Sequence, residues 1–415
     1  MKIAVMGFGT VGSGVVELIT KNHDRIVKNS LQDSLDIKYI LDIRDFPGSP
    51  YSDLFIKDFT LIENDPEVEI VVETMGGATF AYEYVKRLLL KGKSIVTSNK
   101  ELIAAKGYEL MALASANRAN LLFEASVGGG IPILRPIRHC LTANEITEVA
   151  GILNGTTNYI LTKMFRTGSQ FADALKEAQD LGYAERDPSA DVDGFDSCRK
   201  ICILATQCFG RQVNVDEIST EGIRNITLAD VQYAAAAGAE IKLIGSAKKL
   251  PDDKVAIYVA PALVGRGSQL ASVDDVFNAI LVRGDALGEV VFYGRGAGKF
   301  PTASAVVADV IDAARHISRS LHHEWAEGIE CYVSDAESQV CPMYIRVKIL
   351  AGAKPADLPD ALRGKFGHIH MLERENAPAD ELAFTTAPAV IRDMKEFIGS
   401  LDGFRLEQVL RITDY

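Results

Sequence analysis

Lys2-Ile3-Ala4-Val5-Met6-Gly7-Phe8-Gly9-Thr10-Val11-Gly12 decides the reading of this 415-residue chain. An apolar run of strand length stops at three glycines spaced Gly-x-Gly-x-x-Gly, and Val15, Val16, Leu18, Ile19 and Ile26 follow at helical spacing. Strand, glycine turn and helix open a dinucleotide-binding unit. Gly7 permits the tight turn, Gly9 lets backbone approach a pyrophosphate, and Gly12 lets the helix pack on the strand. The helix start then offers N–H donors to the phosphates. A ligand-free turn is the competing reading, since glycines punctuate many turns. The position between strand and amphipathic helix favours the cofactor.

Working outward, the pattern predicts strands at 37–41, 69–73, 94–97 and 121–123, with helices at 78–91 and 101–117 between them. Alternation of this kind predicts an α/β fold with a doubly wound parallel sheet. After about residue 134 the rhythm changes. Helical text at 132–142, 157–166, 170–181 and 195–209 surrounds strands at 146–152, 255–262 and 289–294, an α+β region. A helix at 299–320 is expected to pack back on the first domain. Beyond residue 328 the order strand 344–349, helix 356–366, a strand pair, helix 388–401 and strand 408–412 predicts a ferredoxin-like β-α-β-β-α-β module. The expected domains are therefore 1–134 with 299–320, 135–298, and 328–415.

Forty-four Lys and Arg against fifty-six Asp and Glu leave a net charge of −12. A surface that acidic repels phosphate backbones and anionic lipid, so neither nucleic acid nor a membrane surface is an expected partner. The chain opens directly on a strand, without the pattern of a secretory leader. Six cysteines lack any Cys-x-x-Cys pair. Reduced thiols in the cytoplasm are the expectation, and Cys198 with Cys202 on one helix face read as structural.

Several positions can carry chemistry. Asp42 and Arg44 follow the second strand, where an acid takes ribose hydroxyls and an arginine pairs a 2′-phosphate. The two together leave NAD and NADP both open, and a solvated loop remains an alternative for each. Thr97-Ser98-Asn99-Lys100 closes the fourth strand, whose carboxyl end lines the ligand crevice of such a sheet. Lys100 there is a general acid, a charge clamp or a solvated helix start. Glu185 through Lys200 packs five carboxylates into twelve residues and ends on a lysine. Asp196 and Lys200 stand four apart on one helix face. The stretch reads either as an acidic pocket for an ammonium group with a lysine proton donor beside it, or as a helix-capping loop with a surface ion pair. Glu124 through Pro132 and Gly294-Arg295-Gly296-Ala297-Gly298 are glycine-rich. In the first, carbonyls and one carboxylate offer oxygen donors to a hard monovalent cation, against the plain reading of a strand-to-helix loop. No HExxH, nucleophile-elbow or Walker pattern occurs.

Together these runs, with Gly151-Ile152-Leu153-Asn154-Gly155-Thr156-Thr157-Asn158-Tyr159-Ile160-Leu161, stand in an order that resembles homoserine dehydrogenase over residues 1 to about 320. The resemblance implies a Rossmann domain, a homoserine-binding and dimerisation domain, and a C-terminal ACT-type module in a homodimer or homotetramer. It implies NAD(P)-dependent interconversion of L-homoserine and L-aspartate 4-semialdehyde, in threonine, methionine and isoleucine biosynthesis. By motif, Lys200 matches the catalytic lysine, Lys100 a second active-site lysine, and Glu185, Asp191 and Asp196 the acids that bind homoserine or orient the site. Gly7, Phe8, Gly9, Thr10, Val11, Gly12, Arg44, Thr74, Ser98, Lys100 and Gly298 are the expected cofactor contacts. Glu124 matches a side-chain ligand of a structural sodium ion, with carbonyls from Val127, Gly129 and Ile131. The tail departs from the ACT pattern: Ala351-Gly352-Ala353-Lys354-Pro355 stands where Asp-x-x-Gly is usual. A related oxidoreductase on another amino-acid aldehyde or alcohol, and a non-catalytic sensor that keeps the cofactor fold, are the alternatives.

Overall fold

The structure is a computed structural model, and the residues described are 1–317, 319 and 325–415. The chain divides into two compact units. One comprises Met1–Ile146, Cys202–Val215 and Phe292–Glu330, the other Thr147–Ile201, Asp216–Val291 and Cys331–Tyr415.

The first unit is built on strands β1 (Lys2–Met6), β2 (Asp36–Leu41), β3 (Phe55–Ile56), β4 (Val68–Glu73), β5 (Ser94–Thr97) and β6 (Leu121–Leu122). They pair in parallel in the order β3-β2-β1-β4-β5-β6. The Val- and Ile-rich β1 and β4 are buried almost throughout, as strands covered on both faces must be. The order reverses between β1 and β4, and such a switch point opens the ligand crevice at the strands' carboxyl ends. Gly7 and Thr74 follow those two ends. The helical pattern from Val15 to Ile26 is two helices, Thr10–Lys21 and His23–Ser30, broken at Asn22. Helix Lys299–Arg315 buries Ala303, Val306 and Val310 against Ile3, Val15 and Val16. It therefore belongs to the N-terminal core despite its place in sequence. Of its expected extension to residue 320, positions 318 and 320 lie outside the described residues.

The second unit carries a mixed sheet of β7 (Ile146–Ile152), β8 (Ser219–Thr220), β9 (Ala239–Lys249), β10 (Val255–Gly265), β11 (Phe277–Gly284), β12 (Gly288–Arg295), β13 (Val333–Ser334), β15 (Met343–Ile349), β16 (Ile369–Leu372), β17 (Glu381–Thr386) and β19 (Phe404–Thr413). The main order is β12-β11-β7-β9-β10-β19-β15-β17-β16. Strands β8 and β13 pair with β10, while β14 (Val340–Cys341) and β18 (Ala389–Val390) form a separate ribbon. Strands β15, β16, β17 and β19 with helices Asp357–Phe366 and Ile391–Gly399 follow the β-α-β-β-α-β order in an antiparallel sheet.

Of residues 328–415, expected as a domain apart, Cys331–Tyr415 fall in the second unit. Strand β19 pairs with β10 at Ala262↔Arg411, Leu263↔Ile412 and Val264↔Thr413, so one sheet runs through both. Strand β9 is absent from the sequence reading because Glu240 and Lys242 break its apolar text. Both are buried: the Lys242 ammonium donates to the Val273 carbonyl at 2.7 Å and lies 3.3 Å from the Glu240 carboxylate.

Candidate active site

In the first unit, Gly7 adopts φ +93°, which a side chain would strain. A Cβ on Gly12 would stand 1.9 Å from the Gly7 carbonyl oxygen and 2.7 Å from Thr74 Oγ1. Thr74 Oγ1 itself donates to the carbonyls of Met6 and Gly7, at 3.1 and 2.9 Å. The turn is thus pinned from β4. Gly9 occupies the N-cap of helix Thr10–Lys21 and brings no side chain to its first N–H groups. That arrangement suits an incoming phosphate.

Asp42 leaves the end of β2 buried, its side chain 6% exposed. It accepts from the Phe8 N–H at 2.7 Å and from the Arg44 N–H, Nε and Nη2 at 2.9, 3.0 and 2.9 Å. Burial pushes the carboxyl up, but the Arg44 guanidinium and the backbone donors outweigh it and hold it at about 2. Arg44 remains 58% exposed. Lys57, not singled out from sequence, donates to the carbonyls of Ile43 and Arg44 at 2.7 and 2.5 Å and pairs with Asp45 at 2.9 Å. It therefore lies beside Arg44, brought there by β3, whose two residues carry no sequence signal.

Ser98 and Lys100 stand after β5. Asn99 between them accepts from the Leu102 N–H at 3.1 Å and donates to the Gly77 carbonyl at 2.7 Å, so it caps helix Lys100–Ala116 and ties it to the turn after β4. Glu73, passed over as a strand residue, is fully buried there. It accepts from Thr97 Oγ1 at 2.6 Å and the Met75 N–H at 2.8 Å, and burial raises its pKa.

The two glycine-rich stretches meet. A Cβ on Gly129 would come 2.3 Å from the Gly296 oxygen, and the Gly130 N–H donates to the Arg295 carbonyl at 3.1 Å. Gly298 has φ +124° and precedes helix Lys299–Arg315. Glu124 is buried and accepts from the N–H groups of Ile133, Leu134 and Arg135 at 2.6, 3.0 and 2.6 Å. Its carboxylate therefore caps helix Leu134–His139. Val127, Gly129 and Ile131 are buried in the turn between.

In the second unit the acidic stretch separates by role. Asp187 accepts from the Ser189 N–H and Oγ at 3.1 and 2.7 Å, a local turn. Asp193 pairs with Arg224, and Glu185 is exposed. Asp191 and Asp196 converge instead on Asn154, whose Nδ2 donates to them at 2.7 and 2.9 Å. Asn154 Oδ1 meanwhile accepts from the Thr157 N–H at 2.9 Å and caps helix Gly155–Thr167. Lys200, one turn along helix Phe195–Phe209 from Asp196, donates to Asp196 Oδ2 at 2.6 Å and to the Leu153 carbonyl at 2.8 Å. The Lys200 side chain is 11% exposed. This is not the surface ion pair that spacing alone allowed. Burial, and then the charge of Asp196, raise the Asp191 pKa. Asn154 is the site residue that sequence reasoning quoted only within a motif. Its signal was an Asn directly before a helical run, which marks a cap and gives no hint of the two carboxylates.

Residues 7–124 match the family model for the homoserine dehydrogenase NAD-binding domain, and residues 132–311 match the model for homoserine dehydrogenase. The chain is 40% identical to the homoserine dehydrogenase of Synechocystis over 385 residues, 89% of this chain and 86% of that one. It is 40% identical to the Bacillus subtilis enzyme, over 76% and 73% of the two chains. The crystal structure of a homoserine dehydrogenase from Thiobacillus denitrificans superposes with TM-score 0.88 at 33% identity, covering 100% of this chain and 98% of that one. A hyperthermophilic archaeal homoserine dehydrogenase in complex with NADPH gives 0.63 at 30%, covering 75% and 97%. Glycine turn, paired acids and buried lysine stand in one chain with these relatives: the chain belongs to the homoserine dehydrogenase family.

Proposed function

We propose that Lys200 is the general acid and base of the NAD(P)-dependent interconversion of L-homoserine and L-aspartate 4-semialdehyde. One observation carries this. The Lys200 ammonium has three N–H donors; among the described residues Leu153 and Asp196 take two of them, which leaves the third for a substrate oxygen. Bound reduced cofactor supplies the hydride that adds to the aldehyde carbon. The third Lys200 proton then goes to the carbonyl oxygen, giving the primary alcohol, and the neutral amine takes a proton back from water. Oxidation runs the same transfers in reverse. Asp191, with Glu185 at the exposed edge, holds the substrate ammonium, and Asp196 orients Lys200. Lys100 assists as a second positive charge. Lys200→Ala is expected to cut homoserine oxidation about 10²–10⁴-fold, followed by ultraviolet absorbance of the reduced cofactor. Cofactor affinity by calorimetry stays unchanged. Wild-type turnover would remove Lys200 from the mechanism.

The cofactor reading extends over Gly7 to Gly12, Thr74, Ser98, Lys100 and Gly298. Preference for NADP is part of the proposal. Asp42 has its oxygens engaged by Phe8 and Arg44, while the Arg44 guanidinium, 58% exposed, favours a 2′-phosphate over ribose hydroxyls. Arg44→Ala should lower affinity for 2′-phospho-AMP and leave AMP unaffected. A sodium ion among the oxygen donors of Glu124, Val127, Gly129 and Ile131 is also proposed, because a hard cation takes oxygen ligands; the Glu124 carboxylate already accepts from three backbone N–H groups, so carbonyls would carry most of the coordination. The C-terminal β-α-β-β-α-β segment is proposed as an ACT-type module, for which threonine inhibition of full-length and truncated protein is the test. A homodimer or homotetramer and a cytoplasmic location complete the reading; the six cysteines carry free thiols.

A further inference from the structure

Helix Lys100–Ala116 is continuous, and a side chain from distant sequence bonds its backbone one turn after Lys100. The Gln212 amide reaches both partners of the rung between residues 104 and 108. Its Nε2 donates to the Ala104 carbonyl at 3.0 Å, and its Oε1 accepts from the Tyr108 N–H at 3.0 Å. The same Nε2 donates to the Val213 carbonyl at 2.9 Å. A side chain that enters the i→i−4 ladder fixes the local bend of a helix.

Gln212 is itself held. Its N–H donates to the Ala326 carbonyl at 3.0 Å, and the Ala326 N–H donates to the Gly210 carbonyl at 2.7 Å. Beside it the helix carries Gly107, where a Cβ would lie 2.6 Å from the Trp325 ring. Trp325 is buried and packs edge-on against Phe123 at 5.5 Å. An alanine at 107 would push this wall away, so the glycine belongs to the same device.

The turn 100–104 is therefore anchored at both ends by amide side chains. Asn99 ties its start to Gly77, and Gln212 ties its end at Ala104. Ala104 is also the residue whose N–H closes the first helical turn onto Lys100. We propose that Gln212 is a positioning residue for Lys100, setting the pitch of the single turn that presents its side chain. This rests on the assignment of Lys100 to the active site.

The test is a double-mutant cycle on the full-length chain. Gln212→Met keeps length and volume but loses both hydrogen bonds. It is expected to lower kcat for homoserine oxidation about 10-fold. In a Lys100→Ala background the same change should alter kcat by less than about twofold, because residues that act as one unit do not add. Should Gln212→Met fail to fold, Gln212→Glu takes its place in the cycle, keeping the acceptor for Tyr108 and losing the donor to Ala104. Wild-type kcat in the Gln212 variant, or losses that multiply in the double variant, would overturn the proposal. Wild-type turnover in Lys100→Ala alone would overturn the assignment of Lys100 and the inference with it. A loss in Lys100→Ala beside an unaffected Gln212 variant overturns the inference only.

Discussion

Asn154→Ala removes four hydrogen bonds at once, two from Nδ2 to the carboxylates and two onto Oδ1 from the Thr157 N–H and hydroxyl, and their values set the expected loss. The helix cap onto Thr157 is worth about 1 kcal/mol. Each Nδ2 bond to a carboxylate, at 2.7 and 2.9 Å, is worth about 1.5 kcal/mol at the low end for a charged partner. Asp191 is half-buried, so water replaces part of its bond, and the net cost is about 3 kcal/mol. Asn154→Ser keeps a capping oxygen and should recover about 1 kcal/mol of it. Activity should fall in both variants. Asp191 and Asp196 would lose the donor between them, and Asp191, already raised by burial and by Asp196, would hold its proton to still higher pH. The acid limb of kcat/KM for homoserine should therefore move upward, with a loss of about 10-fold to 100-fold at neutral pH. Urea unfolding and a pH–rate profile measure the two effects. A stability within about 0.5 kcal/mol of wild type, or an unmoved acid limb, would refute the reasoning.

Gly12→Ala forces a methyl into the 1.9 Å gap beside the Gly7 oxygen, so the turn must open. Cofactor affinity by calorimetry should drop and stability should fall by about 1–3 kcal/mol. The folded Asp42 carboxyl sits at about 2, below its ordinary 3.8. Its stabilisation is thus complete above about pH 4 and lost as pH falls toward 2. Asp42→Asn should abolish that part of the acid dependence, on the order of 1 kcal/mol after allowance for the exposed Arg44, as read by denaturant midpoints across that window. Arg346 bonds Asp230 at 2.9 and 3.2 Å, and Asp230 is fully buried. Arg346→Met should cost about 3–5 kcal/mol, and adding Asp230→Asn should restore part of it, measured by urea unfolding.

Much of the first unit was legible because its signals are local. Strand β1, the glycine turn and the amphipathic helix lie within twenty-one residues, and the alternation that follows has periods short enough to read. Strand β3 has two residues and helix Thr10–Lys21 stops at Asn22 without an apolar signal, so neither showed. In the second unit β9 was missed because Lys242 and Glu240 look like surface text. Partners supplied by distant chain make their burial tolerable: the Val273 carbonyl and Asp274 carboxylate for Lys242, and Arg166 for Glu240.

From the residues alone came the parallel α/β opening, the candidate lysines and the list of acids. Local periodicity and motif spacing carry that much information. Which acids matter came from packing. Five carboxylates within twelve residues are equivalent as text, yet one caps a turn, one pairs with Arg224, one faces solvent, and two meet on Asn154. A side chain thirty-seven residues from Asp191 makes that choice. Charges sort by what they can bond once water is gone, and only the folded chain decides which partners arrive.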